Sequence, residues 1–192
     1  MKIDRGLMLA GLLVAASACS TAKPAAPAEP VLTATSTIKD IMDSMVDPSS
    51  DYLFDAVAQI ADEKGVRQKA PQTNEEWKEA RRRAVQLVEA PHLLVMSGRK
   101  VARPGEKSEN PEVELQPEQI QTLIDSDRAL FVTRARALQE AGQAALQAVD
   151  AKNPNALFDA AGQLDKACEN CHLHYWYPND QRAQAAYKAA NP

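Results

Sequence analysis

The sequence predicts an all-α chain folded as an antiparallel, up-down-up-down four-helix bundle. Three observations predict it. Apolar residues recur three and four apart in four separate stretches, helix-start signals precede the second and the fourth, and the connections after the first and third stretches are short. Short connections set consecutive helices antiparallel. With 192 residues and 45% apolar content, the chain is long enough for one domain with a sizeable core.

Residues 1–18 read as an export signal. Lys2 and Arg5 supply positive charge, residues 7–16 form an apolar run too short to span a bilayer, and Ala16-Ser17-Ala18 is a small-residue cleavage site. Small residues followed by Cys19 resemble the lipobox of bacterial lipoproteins, whose mature cysteine is diacylated; signal peptidase I cutting after the same Ala-x-Ala is the plain alternative. On the lipoprotein reading Cys19 is the lipidation site, and Ser20 after it favours the outer membrane. Residues 19–36 are Ala, Pro, Thr and Ser without apolar periodicity, so they read as a disordered tether.

The folded region is expected over residues 37–177. In the first helical stretch Ile38, Ile41, Met42, Met45, Tyr52, Leu53, Val57 and Ile60 share one face. Asp47-Pro48 interrupts it as a kink or a fresh start. Gly65 and Pro71 bracket a polar connection. Thr73-Asn74-Glu75-Glu76 is a capping box that opens the second helix, whose stripe is Trp77, Ala80, Ala84, Leu87, Pro91, Leu94 and Gly98. His92 lies on a flanking stripe and reads as a packing residue with a polar tip. Residues 100–116 carry Pro104, Gly105, Pro111 and several charges, which makes them a surface loop.

The third helix is expected from about Pro117 to Ala151, with Ile120, Leu123, Ile124, Phe131, Leu138, Ala141, Ala145 and Val149 inside. Asn153-Pro154 caps and starts the fourth, whose stripe is Leu157, Ala161, Leu164, Cys168, His172 and Tyr175. Pro178-Asn179 ends it, and residues 178–192 form a polar tail. Small residues gather at one end (Ala141, Gly142, Ala144, Ala145, Ala148, Ala160 and Ala161) and let helices approach closely. At the other end Ile38, Ile41, Met42, Leu123, Ile124 and Phe131 are bulkier and can splay the helices around a large group.

The bulky end holds the motif that carries chemistry, Cys168-Glu169-Asn170-Cys171-His172. Two thiols three apart with an imidazole after the second is the spacing for covalent attachment of one haem c. Cys168 and Cys171 would each form a thioether with a vinyl group, and His172 would be the proximal iron ligand. All three address one sector of the helix. A zinc site from Cys168, Cys171, His172 and His174 is the competing reading, though zinc spacing usually adds a second, distant pair. A thioredoxin-like redox pair would want a βαβ context.

With this motif near the end of its last helix, the chain resembles the cytochrome c′ family of four-helix-bundle haem proteins over residues 37–177. Tyr175 matches the aromatic commonly found three after the histidine, while Trp176 stands where those proteins usually have Arg. Met42 and Met45 are three apart on one face, and spacing does not separate them as a distal iron ligand. The resemblance selects Met42, because low-spin members place a Met after an apolar residue early in the first helix, as Ile41-Met42 does here.

The expected function is a periplasmic one-electron carrier, not an enzyme, working with a redox partner protein. A protein binding nitric oxide or carbon monoxide, small gas ligands of the family's high-spin members, is the alternative, and a non-haem helical lipoprotein scaffold the third. A peroxidase-like site is disfavoured because no distal His or Arg stands out near the expected pocket. The resemblance also allows a homodimer. A net charge of -4 and no basic run longer than Arg81-Arg82-Arg83 give no footprint for nucleic acid.

Overall fold

A computed structural model describes residues 32–63 and 65–191. The expected signal sequence, Cys19 and most of the tether lie outside them. Among the described residues the secondary structure is mostly helical, with two short strands, as the all-α reading requires.

Helix α1 (Ile38–Ile41) starts from a capping box in which Thr37 accepts from Asp40 N–H and the Asp40 carboxylate accepts from Thr37 N–H. It runs without interruption into a π-helical turn, Met42–Val46, and then α2 (Asp47–Ala56). The Asp47-Pro48 step therefore neither breaks the helix nor starts a new one by capping. Asp47 N–H reaches back to the carbonyl of Met42, five residues earlier, and a π turn of this kind accommodates the proline that follows.

Helix α2 ends sooner than the apolar spacing suggests. Val57 is extended, and Ile60 lies not on a helix but in β1 (Ala58–Asp62), paired antiparallel with β2 (Gly65–Lys69) in the register Ile60 to Arg67. The polar connection expected here is thus a hairpin. Helix α3 (Asn74–Leu94) opens on the expected capping box, with Thr73 accepting from Glu76 N–H, and buries Trp77, Ala80, Ala84, Leu87, Pro91 and Leu94.

The third helix is two. Helix α4 (Pro117–Ser126) stops at Asp127, whose backbone leaves helical geometry at φ -139 and ψ 73, and the Asp127 side chain caps α5 (Arg128–Asp150) by accepting from Leu130 N–H. Asn153 caps α6 (Pro154–Tyr175), accepting from both Asn155 and Ala156 N–H. The polar tail forms α7 (Gln181–Ala190), which buries nothing.

Side-chain contacts orient the long helices. Arg81 near the start of α3 meets Asp150 at the end of α5, Arg128 at the start of α5 donates to Val95 O just after α3, and Phe131 stacks on Tyr175 at the end of α6. Helix α3 is therefore antiparallel to α5, and α5 to α6. Ser49 donates to Gln86 and Tyr52 reaches Glu76 O, setting α2 antiparallel to α3. Helix α2 also packs on α6, so neighbour follows neighbour around a ring from α2 through α3 and α5 to α6. The core runs inside it, from Leu53, Leu87, Leu157 and Leu164 to Ile124 and Phe131.

One end of this arrangement gathers three chain segments. Ile38 and Lys39 N–H donate to Lys100 and Val101 carbonyls, and Leu115 N–H donates to Trp176 O. The start of α1, the long loop after α3 and the end of α6 thus meet, which is where the sequence places the Cys-x-x-Cys-His motif.

Candidate functional site

Cys168, Cys171 and His172 project from α6 on a face that the rest of the helix has already committed inward through Leu157, Ala161 and Leu164. Their side chains are half-buried. Two adjoining clefts meet at this face. The larger encloses about 700 Å³ counting its mouth to solvent, and is lined by Ile38, Met42, Ile120, Ile124, Phe131, Cys171, His172, Tyr175 and Trp176, with charged groups such as Lys107 and Glu109 at its rim. The smaller, about 380 Å³, is lined by Met42, Val46, Leu94, Phe131, Leu138, Cys168, Cys171 and His172. Met42, Phe131, Cys171 and His172 belong to both.

The electrostatics follow from this apolar lining. Burial pushes the Cys168 thiol up to about 12, with Asp47, Cys171, Asp165 and Glu169 adding to the shift. Burial likewise raises Cys171 to about 11, partly offset by Arg134. Both stay protonated at neutral pH, unlike the thiolates of metal sites and redox pairs. Burial lowers His172 to about 4, so its imidazole is neutral with a lone pair free for a metal.

Aromatic groups fix the rim around that ring. Trp176 lies 5.1 Å and Tyr177 5.8 Å from His172 between ring centroids, both tilted edge to face. Tyr177 donates to Glu169 Oε1 at 2.9 Å, and burial together with this bond raises its hydroxyl pKa.

The zinc reading finds no support in this placement. His174 is exposed and turned toward Tyr175, and no group of three or more His, Cys, Asp or Glu among the described residues is arranged to hold a metal ion. A haem asks for something different: apolar lining, two thiols on one helix face and one neutral imidazole beside them. The residues present fit that demand.

Of the two methionines, Met42 lines both clefts and Met45 lines neither. His92 is exposed, close to Glu89 and Gln139, and lines neither cleft either. One residue corrects the sequence reading outright. Arg134 lines the smaller cleft with both cysteines, where the sequence reading expects no Arg near the pocket. The signal was available: Arg134 falls three after Phe131 and four before Leu138, inside an otherwise apolar stripe.

No family model, curated protein or solved structure matches this chain.

Proposed function

We propose that this chain is a c-type cytochrome carrying one covalent haem in a four-helix bundle of the cytochrome c′ kind, and that it works as a one-electron carrier rather than an enzyme. The observation that carries the reading is the convergence of Cys171, His172 and Met42 on one apolar cleft, with Cys168 beside them in the adjoining one. Cys168 and Cys171 would hold the group by two thioethers, and His172 and Met42 would supply the nitrogen and the thioether sulfur that ligate its iron. When bound there, haem supplies a ferric–ferrous couple. The surrounding apolar side chains exclude water, and the aromatic wall of Trp176 and Tyr177 keeps the His172 ring in place.

If residues 1–18 act as the export signal they resemble, this carrier would work in the periplasm, held at the outer membrane where Cys19 is lipidated and facing a redox partner protein. Protein exported from a host competent in haem attachment should keep its colour after denaturation and acid-acetone extraction, since thioethers survive where coordination does not. Colourless protein from that host removes the reading. Spectra in both oxidation states separate its two forms: low-spin ferric haem supports the carrier, and high-spin ferric haem that binds carbon monoxide on reduction moves the assignment to gas binding.

A further inference from the structure

The hairpin of β1 and β2 stands apart from the helices. Its strands pack on each other and on no helix to a comparable extent, and every residue of β2 is exposed. A lone two-stranded hairpin is at best marginally stable in water, so this one gains from any further strand that joins it. Among the described residues, no backbone hydrogen bond joins residues 58–61 to any element but β2, which leaves the outer edge of β1 open.

The two edges of the hairpin differ in chemistry. Arg67 and Lys69 put exposed cations on β2, the kind of charge that keeps an edge strand from pairing with another chain. Ala58, Gln59, Ile60 and Ala61 bring no charge, no proline and no glycine, so nothing blunts the β1 edge. The register fixes which groups that edge offers. A turn of this length closes on a hydrogen-bonded pair, here Asp62 and Gly65, and alternation along the ladder then aims the N–H and C=O of Ile60 at Arg67. Those of Gln59 and Ala61 point outward.

We propose that the β1 edge pairs antiparallel with β1 of a second copy of this chain, about a two-fold axis at Ile60. Gln59 of each copy then exchanges N–H and C=O bonds with Ala61 of the other, and the Ile60 residues stand opposite each other as a non-hydrogen-bonded pair, the closer kind. Asp62 falls opposite Ala58, so no charge meets its like. Pairing β2 with itself about Arg67 or Gln68 sets cation against cation instead. The dimer is isologous and closed, with the cationic strands at the two outer edges of a four-stranded sheet, so pairing stops there. One short strand buries less than the roughly 1,000 Å² of a stable interface, and concentration therefore sets how much dimer forms. The inference does not rest on the haem reading.

The test uses the exported full chain carrying Cys19→Ser, so that neither a lipid nor the Cys19 thiol joins copies, and follows its mass by sedimentation up to the millimolar range. This parent should show an equilibrium between monomer and dimer. Ile60→Lys sets two ammonium groups on the axis and should weaken the dimer by about tenfold or more. Gln68→Lys, on the other edge, should leave it unchanged. Ile60→Cys gives a second readout and serves alone where the Lys variant loses the hairpin. Its thiols stand opposite each other across the axis, so mild oxidation should link two copies, whereas Gln68→Cys and the parent should stay unlinked. A parent that is monomeric at every concentration overturns the proposal and leaves the edge to a strand of another protein. A dimer that Ile60→Lys does not weaken, or that cross-links through Gln68→Cys instead, overturns it equally, because another surface then holds the copies together.

Discussion

Gly142 on α5 lies directly against the backbone of Leu87 on α3: a Cβ built on it would stand 3.0 Å from the Leu87 carbonyl carbon and 3.1 Å from both Leu87 O and Val88 N. Backbone, not a flexible side chain, blocks the space, so Gly142→Ala must push two helices apart and should cost about 1–3 kcal/mol. Gly162 on α6 offers the control, because it is exposed and a Cβ there meets nothing within 4 Å. Gly162→Ala should stabilise by about 0.5–1 kcal/mol through helix propensity alone. Urea midpoints of the two variants should move in opposite directions. Movement together would mean that the α3–α5 contact relaxes freely.

The close approach at Gly142 was legible in the sequence, because Ala141, Ala145 and Ala148 mark the same small-residue face, and all three are buried. The caps at Thr73 and Asn153 were legible too, since each rests on a local side-chain bond that spacing reveals. The hairpin was not. Its second strand is exposed throughout, so no alternation of apolar and polar residues marks it. The break at Asp127 hid for the opposite reason: Ile124 and Phe131 are seven apart, two full turns, and the stripe reads straight through. Arg134 was not legible because a stripe is defined by its apolar members, and a cation within it reads only as a gap.

Acid should loosen both capping boxes. Backbone N–H groups of Gln72 and Thr73 bonded to Glu76, and of Thr37 bonded to Asp40, hold these carboxyls below their ordinary values of 4.5 and 3.8. A carboxyl depressed in the folded state contributes stability that is fully present above its unfolded value and lost as pH falls through the folded one. Thermal stability should therefore decline as pH drops below about 4.5, the ordinary value for Glu. Glu76→Gln should lower stability at pH 7 and flatten part of that decline. Thr73→Ala should cost about 1 kcal/mol. An acid profile unchanged in Glu76→Gln would show that the box does not govern it.

The proposed ligation by Met42 gives a spectroscopic prediction. Met42 lines both clefts with His172 whereas Met45, also packed on the core, lines neither. Ferric wild-type protein should be low-spin with a weak near-infrared sulfur-to-iron band. Met42→Ala should lose that band entirely, turn high-spin and fall in potential, because thioether ligation raises it. Met45→Ala should keep all three properties and show only a modest loss of stability. Loss of the band in Met45→Ala alone would transfer the ligand role.

Pro48 should control where that sulfur points. In an uninterrupted α-helix the Pro48 ring would press on the carbonyl of Ser44 and leave it without a donor. The chain instead widens to a π turn over Met42–Val46, with Asp47 N–H bonded to Met42 O and the Ser44 hydroxyl bonded to Asp40 O. Each residue of an α-helix advances about 100° around the axis, so absorbing one extra residue in this turn rotates Met42 by about that angle relative to α2. Pro48→Ala restores the missing donor and permits the α register, in which Met42 swings away from the cleft. Covalent haem should survive this change, since the cysteines lie on α6, while the sulfur-to-iron band should weaken and a high-spin fraction should appear. An unaltered band in Pro48→Ala would mean that packing of buried Ile41 and Val46, rather than the proline, holds the π turn in place.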